Sequence, residues 1–459
     1  MAKKSAGLSR SSVLRSLSVS IAGARTGGAM VADSALNKIM PGRKSNALLE
    51  REAKNFAAEL GRLKGTYVKV GQMLALLGEH FLPAELTEAL HELDSQTFPL
   101  PWEAMQPAME ERMGECYHQL IIDEEPLAAA SLAQVHRAEV IATGEQIVLK
   151  VLYPGVQDTI DVDFNAVVRM LKMTRWVKSS REFSEWLEII REQLHLEVDY
   201  KREAKMMRRM QGLLDGDERY LVPKVYTQFC SAHVLAMEYV DGEKVTSDVV
   251  SDLPQRQRNT LAKSMLDLFF HEIYQWRFIQ TDPNFGNYLI TQKQGKTQLV
   301  LLDFGSVMEC SATFCRALGA TIKAGQLGDR AGVIAGLIEL GCLDEDSAEG
   351  AKDTFGDFCL HILEPLRDTD QLPDDSVNGD HQYCWGRSDL LRRAGKNAAK
   401  SVVNKDFSMP SQEFAFIARK LTGVFTFIAV LDAEFNGGPI LQKHIQNSRK
   451  SSATKRKAK

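Results

Sequence analysis

The chain has 459 residues, with 56 Lys and Arg against 60 Asp and Glu and a formal net charge of −4. Apolar residues make up 44%, charged residues 25% and aromatics 8%, which excludes a collagen, a disulfide-stapled miniature, a coiled coil and a wholly disordered chain. The length predicts about three domains or lobes with room for a real core, and the near-neutral balance argues against nucleic-acid binding, which needs clustered Lys and Arg.

Residues 1–47 read as a basic, Ser-rich, flexible leader. Asp33 is the sole acid before Glu50, against Lys3, Lys4, Arg10, Arg15, Arg25, Lys38, Arg43 and Lys44. Leu14, Leu17 and Ile21 share one helical face. The segment fits either an amphipathic stretch on anionic lipid or an organellar transit peptide. Residues 48–125 form a helical extension, with Leu60, Leu63, Tyr67 and Val70 near 3.6 spacing, interrupted by Phe98-Pro-Leu-Pro101.

Residues 126–240 read as a strand-rich lobe with inserted helices. Ala133–Val140 and Glu145–Leu152 make a hairpin across Thr143 and Gly144. Asp158–Gln211 is helical, and Leu221–Val225 and Val234–Tyr239 are strands. Residues 241–440 are mostly helical, with short strands near Tyr288–Thr291 and Gln298–Leu302 and a polar loop over Gln371–Asp389. Phe414–Leu431, broken by Arg419 and Lys420, predicts a buried helix, since no run of 18 apolar residues exists to span a bilayer. The tail 441–459 has no acid and predicts disorder. At roughly 1 kcal/mol per basic residue near an anionic leaflet, the two ends together would hold the chain on a membrane surface. Cys116, Cys230, Cys310, Cys315, Cys342, Cys359 and Cys384 form no C-x-x-C. Only His381 and Cys384 approach zinc spacing, so reduced thiols in a reducing compartment are expected.

The strongest chemical signal is Thr281-Asp282-Pro283-Asn284-Phe285-Gly286-Asn287, followed by Asp303-Phe304-Gly305. Phosphoryl transfer from ATP needs metal ions to neutralise phosphate charge and a group that orients the acceptor hydroxyl. An Asp, an Asn five positions on, a hairpin and then Asp-Phe-Gly supply both. Asp282 would accept or orient the acceptor's proton, and Asn287 and Asp303 would hold Mg2+ through oxygen ligands.

Upstream, Ile147-Val148-Leu149-Lys150-Val151-Leu152 is a buried-strand pattern with one Lys. An unpaired charge there is expensive. In a kinase such a Lys bridges ATP phosphates and a helix Glu. Glu203 is the candidate, on a helix expected over Glu188–Met210, with Glu197 and Asp199 as rivals. Leu235–Val240 reads as the strand leading to the hinge. Backbone groups of Glu238 and Val240 would pair with adenine, and Met237 would back its pocket. Two features depart from an ordinary kinase. No Gly-rich loop precedes Lys150; Ala128, Ala129, Ala130 and Ser131 stand there, and alanine takes positive φ less readily than glycine. No Ala-Pro-Glu follows Asp303.

These residues resemble the UbiB/AarF family of atypical kinases, and most closely its coenzyme Q (ubiquinone) biosynthesis branch. The matching elements are Lys69-Val70-Gly71-Gln72, the alanine-rich Ala128–Ser131, Glu197-Val198-Asp199-Tyr200-Lys201-Arg202-Glu203-Ala204, and Gln280-Thr281-Asp282-Pro283-Asn284. Gln280-Thr281 replaces the His found before the catalytic Asp in many relatives, as in the coenzyme Q branch. The resemblance implies an α+β, protein-kinase-like two-lobed fold, with a small β-rich N-lobe, a large helical C-lobe and a helical N-terminal extension covering the cleft. Lys69 would pair with Glu197, and Gln72 would approach Glu197 or Asp199. Lys150 and Glu203 would form the ATP-site ion pair. The resemblance further implies ATP and Mg2+ as cofactors, slow hydrolysis or transfer to a small or lipid-like acceptor, and support of ubiquinone biosynthesis. Its partners would be an anionic membrane surface and quinone-biosynthesis proteins or lipids. The expected location is cytoplasmic, peripheral on the inner membrane, or the mitochondrial matrix side if the leader is a transit peptide. A nucleotide-gated scaffold or lipid-extraction chaperone is the second reading.

Overall fold

The computed structural model describes residues 46–77, 81–93, 99–174, 176–177, 180–293, 295–390, 392–393 and 411–457. The basic leader, up to residue 45, lies outside them. The chain divides into two compact units. One runs to Arg208 and takes back Lys224–Tyr239; the other holds Arg209–Pro223 and Val240 onward. The helical extension and the strand-rich lobe thus share one unit.

In the first unit, helices α1 (Asn46–Leu63) and α2 (Thr66–Leu77) come from a single apolar period. The break between them lies at Lys64 and Gly65, both with φ of 58°, a left-handed bend that ends a helix. Helix α3 (Ala84–His91) packs on both. Gly71 is required at that contact: a Cβ there would lie 2.4 Å from Leu93 Cδ1 and 3.1 Å from Leu60 Cδ1. The glycine of Lys69-Val70-Gly71-Gln72 is therefore a packing residue. Helix α4 (Trp102–Met113) starts after Pro101, which is extended, and stops at Gly114, φ 56°.

Strands β1 (Leu120–Ile122), β2 (Ala128–Ala129), β3 (Ala133–Val140), β4 (Gln146–Leu152) and β6 (Val234–Glu238) form an antiparallel sheet of order β1-β3-β4-β6, with β2 beside β3. The hairpin expected across Thr143 and Gly144 is present, with Gly144 at φ 71°. The Pro-Leu-Pro segment is tied to this sheet, because Gln134 Oε1 accepts the Leu100 N–H at 2.9 Å.

The helical run expected over Asp158–Gln211 is three helices: α5 (Val156–Met173), α6 (Arg181–Glu197) and α7 (Tyr200–Leu213). The single helix expected over Glu188–Met210 is broken at Val198 and Asp199. The Asp199 carboxylate accepts the Arg202 N–H at 2.9 Å and so starts a new helix by capping it. Helix α2 packs on α5 and α6.

In the second unit, β5 is only Tyr220–Leu221 and pairs in parallel with β9 (Lys296–Leu301), where a strand to Val225 was expected. Val222 and Pro223 leave the ladder, and their carbonyls accept from Gln211 Nε2. β8 (Tyr288–Lys293) and β9 form a hairpin, and β7 (Phe278–Gln280) pairs antiparallel with β10 (Val307–Glu309). Helices α8 (Gln255–His271), α9 (Ala312–Gln326), α10 (Arg330–Glu339), α11 (Glu349–Ile362), α12 (Gln412–Val430) and α13 (Gly438–Lys457) complete the unit. The segment Gln371–Asp389 is irregular, as its composition predicts. It is also anchored: Tyr383, Cys384 and Trp385 are buried, and Trp385 Nε1 donates to Phe435 O at 3.0 Å.

The tail expected to be disordered over 441–459 instead continues α13 to Lys457. Pro439 suits the first turn, and the Gln, Lys, Arg and Ala that follow are good helix formers. His444 fixes the helix to α8. Its Nε2 lies 2.7 Å from Asp267 Oδ1, and Arg219 Nη1 lies 2.6 Å from Asp267 Oδ2. His271 completes the cluster. The guanidinium already neutralises this carboxylate, so the group is a latch rather than a metal site.

Burial holds His136 on β3 and His444 on α13 below the ordinary imidazole range. Both are neutral in the fold, while the unfolded chain protonates near 6.5. Their contribution to stability is complete above that pH and is lost as the pH falls toward the folded values. Denaturation midpoints should therefore drop below about pH 6.5, and His136→Gln should flatten that dependence by up to one proton's worth; an unchanged slope would contradict this.

Candidate active site in two halves

The first half-site is built on β2–β4 and β6. Ala128 and Ala129 pair with Val135 and Gln134, and the Ala130 N–H bonds Ala133 O at 2.7 Å. The alanine-rich segment is thus a closed β-hairpin with Ser131 at its tip. Ala128 and Ala130 are exposed.

Lys150 sits mid-strand between buried Leu149 and Val151. Its Nζ bonds both Glu203 oxygens, at 2.8 and 3.1 Å, and lies 5.3 Å from the centre of the Tyr200 ring. Glu203 on α7 is 1% exposed, and the ammonium bonds both of its oxygens. The two rivals are committed elsewhere: Glu197 pairs with Lys69 on α2 at 2.6 Å, and Asp199 caps α7. Gln72 is half-buried and makes no side-chain hydrogen bond among the described residues. The approach expected of it to Glu197 or Asp199 is thus not a hydrogen bond here, since Lys69 and the α7 terminus already hold those carboxylates.

Met237 is buried opposite Val148. The Glu238 N–H donates to Lys224 O at 2.8 Å, and Glu238 Oε2 accepts the Lys224 N–H at 3.2 Å. Of the Glu238 backbone groups expected to meet adenine, the N–H is therefore committed to Lys224 O. Val240, half-buried, opens the second unit.

The second half-site follows β7. Asp282 is held from two sides. Its Oδ2 accepts from Asn287 Nδ2 at 3.0 Å, and its Oδ1 accepts from Arg419 Nη2 on α12 at 2.6 Å. Asn287 Nδ2 also donates to Asp282 O at 3.1 Å, so both contacts use the amide nitrogen and turn no demand on the amide oxygen. Thr281 N–H and Oγ1 reach Ser306 O at 2.9 and 3.2 Å, which ties this loop to the segment after Asp303. Asp303 is half-buried and its Oδ1 accepts the Gly305 N–H at 2.8 Å. Phe304 is 2% exposed and anchors the turn. An amide oxygen and a carboxylate are the hard oxygen donors that Mg2+ prefers, and the donor set fits that ion.

Behind the loop lies a buried polar cluster that sequence reasoning missed. Lys420 Nζ donates to Gln280 Oε1 at 2.9 Å and Tyr288 Oη at 3.4 Å, and lies 3.5 Å from Glu272 Oε2. Burial pushes the Glu272 carboxyl up to about 7, against the pull of the Lys420 charge. Gln280 Nε2 donates to Asp282 O, so the cluster supports the Asp282 backbone. Gly423, one turn beyond Arg419, brings α12 onto the loop: a Cβ there would lie 2.0 Å from Pro283 Cβ. The signal for these residues was in the sequence. Two adjacent cations in an otherwise apolar helix need a reason.

Removing one member of a buried ion pair leaves a charge without compensation. Lys150→Met should lower stability by about 3 kcal/mol in denaturant titration, and adding Glu203→Leu should recover most of it. A double variant as unstable as the single one would contradict the pairing.

Residues 92–336, just over half of the chain, match the ABC1 atypical kinase-like domain. A Danio rerio relative, "Atypical kinase COQ8B, mitochondrial", is 29% identical over 394 residues, covering 85% of this chain and 60% of its own. The Caenorhabditis elegans "Atypical kinase coq-8, mitochondrial" is 28% identical over 88% of this chain and 52% of its own. The Saccharomyces cerevisiae "Atypical kinase COQ8, mitochondrial" is 26% identical over 86% of this chain and 76% of its own. The chain thus spans little more than half the length of the first two. Among solved structures, Rv3197 of Mycobacterium tuberculosis, in complex with erythromycin, has the same fold, with a TM-score of 0.61 at 21% identity over 87% of this chain and 97% of the other. Fold, motif order and domain match agree: the chain belongs to the ABC1 atypical kinase family, the UbiB/AarF family of its sequence motifs.

Proposed function

We propose that this chain binds Mg-ATP and supports ubiquinone biosynthesis, with slow ATP hydrolysis or phosphoryl transfer to a small or lipid-like acceptor. The observation that carries the reading is that each half-site is internally complete. Lys150 is aligned by a buried Glu203, and Asp282 is aligned by Asn287 two strands before Asp303. A scaffold without nucleotide chemistry gives these hydrogen-bonded side chains no chemical task.

In this reading Lys150 binds phosphate oxygens while Glu203 keeps its ammonium charged and in place. The hairpin Ala128, Ala129, Ala130 and Ser131 covers the phosphates. Met237 backs the adenine, with the Glu238 carbonyl and the Val240 N–H at its edge. Magnesium, held by Asn287 and Asp303, supplies neutralisation of the phosphate charge. Asp282 takes the proton of the attacking hydroxyl or water as that oxygen bonds to phosphorus and the bond to the ADP oxygen breaks.

A second reading, an ATP-gated scaffold or lipid-extraction chaperone, is favoured by the Lys69–Glu197 pair. It ties the family-specific helix α2 to the end of α6, three residues before the helix that bears Glu203. Nucleotide binding at Lys150 would be felt there. Contact with an anionic membrane is proposed through the two basic ends. No helix among the described residues is long and apolar enough to cross a membrane.

Mg-ATP binding and phosphate release should be measured for the parent and Asp303→Asn, with and without anionic or phenol-bearing lipid. The enzyme reading expects turnover that Asp303→Asn abolishes. Binding with no Asp303-dependent turnover leaves the scaffold, and no Mg-ATP binding removes both. For the membrane, flotation on anionic vesicles should fall when residues 1–40 and 449–459, which leave the His444 latch in place, are deleted; unchanged recovery would count against the basic ends.

A further inference from the structure

The loop Thr281–Asn287 contains no Lys or Arg, yet its Asp282 carboxylate is charge-paired. The partner, Arg419, comes from α12, more than a hundred residues along the chain. We propose that Arg419 is the positioning residue for Asp282, a cation lent to the reacting loop by a distant helix; this rests on the phosphoryl-transfer reading above.

Three features of the geometry support a positioning role over an ordinary ion pair. The neighbouring Lys420 already performs the structural task. It is 1% exposed and bound to Gln280, Tyr288 and Glu272. Arg419 is 23% exposed and makes a single hydrogen bond, from Nη2 to Asp282 Oδ1; its other N–H groups bond nothing among the described residues. They are therefore available to an anionic group beside Asp282. Finally, the helix is locked in register with the loop. Arg419 and Gly423 lie four residues apart on one face, and the close seat of Gly423 on Pro283 fixes where the guanidinium stands.

The consequence is directional. With Oδ2 held by Asn287 and Oδ1 by Arg419, the carboxylate plane is fixed, and each oxygen retains a lone pair for the hydroxyl or water that donates to it. Without Arg419 one anchor remains and the carboxylate can rotate. A small misplacement of a reacting group costs rate rather than substrate affinity. A Lys at this position is a poor substitute, because its shorter side chain ends in a compact, rotatable ammonium where the guanidinium presents a rigid planar fork.

The test is steady-state ATP hydrolysis by the full chain with Mg2+, comparing the parent, Arg419→Ala, Arg419→Lys, Asp282→Asn and Asp303→Asn. Arg419→Ala should lower kcat by roughly 10²-fold and leave KM for ATP within about twofold. Arg419→Lys should remain impaired. Added millimolar guanidinium should restore turnover to Arg419→Ala and do nothing for Asp282→Asn, an effect that a merely structural ion pair would not give. If Arg419→Ala does not fold, Arg419→Gln takes its place. A kcat equal to that of the parent, or a loss that guanidinium does not restore, overturns the proposal and leaves the enzyme reading standing. Absence of Asp303-dependent turnover in the parent overturns the enzyme reading and the positioning role together.

Discussion

A carboxylate withdrawn from bulk water needs a positive partner within hydrogen-bonding reach, and among the described residues four such pairs hold elements of the candidate site. Glu203 has Lys150, Glu197 has Lys69, Asp282 has Arg419, and Glu272 has Lys420. Each pair joins residues far apart in sequence, so each also fixes one element against another. The first two pin α7 and α6 to the sheet and to α2. The third pins α12 to the loop after β7, and the fourth pins it to the turn that follows α8. The acids assigned to the candidate site are thus held by the same ion pairs that fix its elements.

Close backbone approach makes those pairs possible. Gly71 lets α2 sit against Leu60 and Leu93, which turns Lys69 toward Glu197. Gly423 does the same for α12 on Pro283, and so for Arg419. In both cases the glycine's value is the missing Cβ, with the charged residue a half-turn or one turn away. A motif such as Lys69-Val70-Gly71-Gln72 then has a physical meaning: a packing residue between two polar ones, of which Lys69 is engaged.

Much of this was legible in the sequence. The hairpin across Gly144, the strand bearing Lys150 and the ordered Asp282, Asn287 and Asp303 follow from local patterns of alternation and turn residues. The motif series makes Glu203 the candidate, but only three dimensions separate it from its rivals Glu197 and Asp199, since all three acids lie within seven residues. The division at Asp199 was hidden because a capping carboxylate looks like any other helical acid. The length of α13 was misread because a run of Lys and Arg resembles a tail as much as a helix. Arg419 was visible as an anomaly, but its partner lies 137 positions away, and no periodicity reports such a distance.

In the proposed reading both half-sites serve one magnesium-bound triphosphate. The most direct measurement is a crystal structure of the chain with Mg2+ and a non-hydrolysable ATP analogue. It should show the metal ligated by the Asn287 amide oxygen and the Asp303 carboxylate, with Lys150 on a phosphate oxygen and still bonded to Glu203. Phosphates bound away from Asp303, or an Lys150 that never meets them, would contradict it.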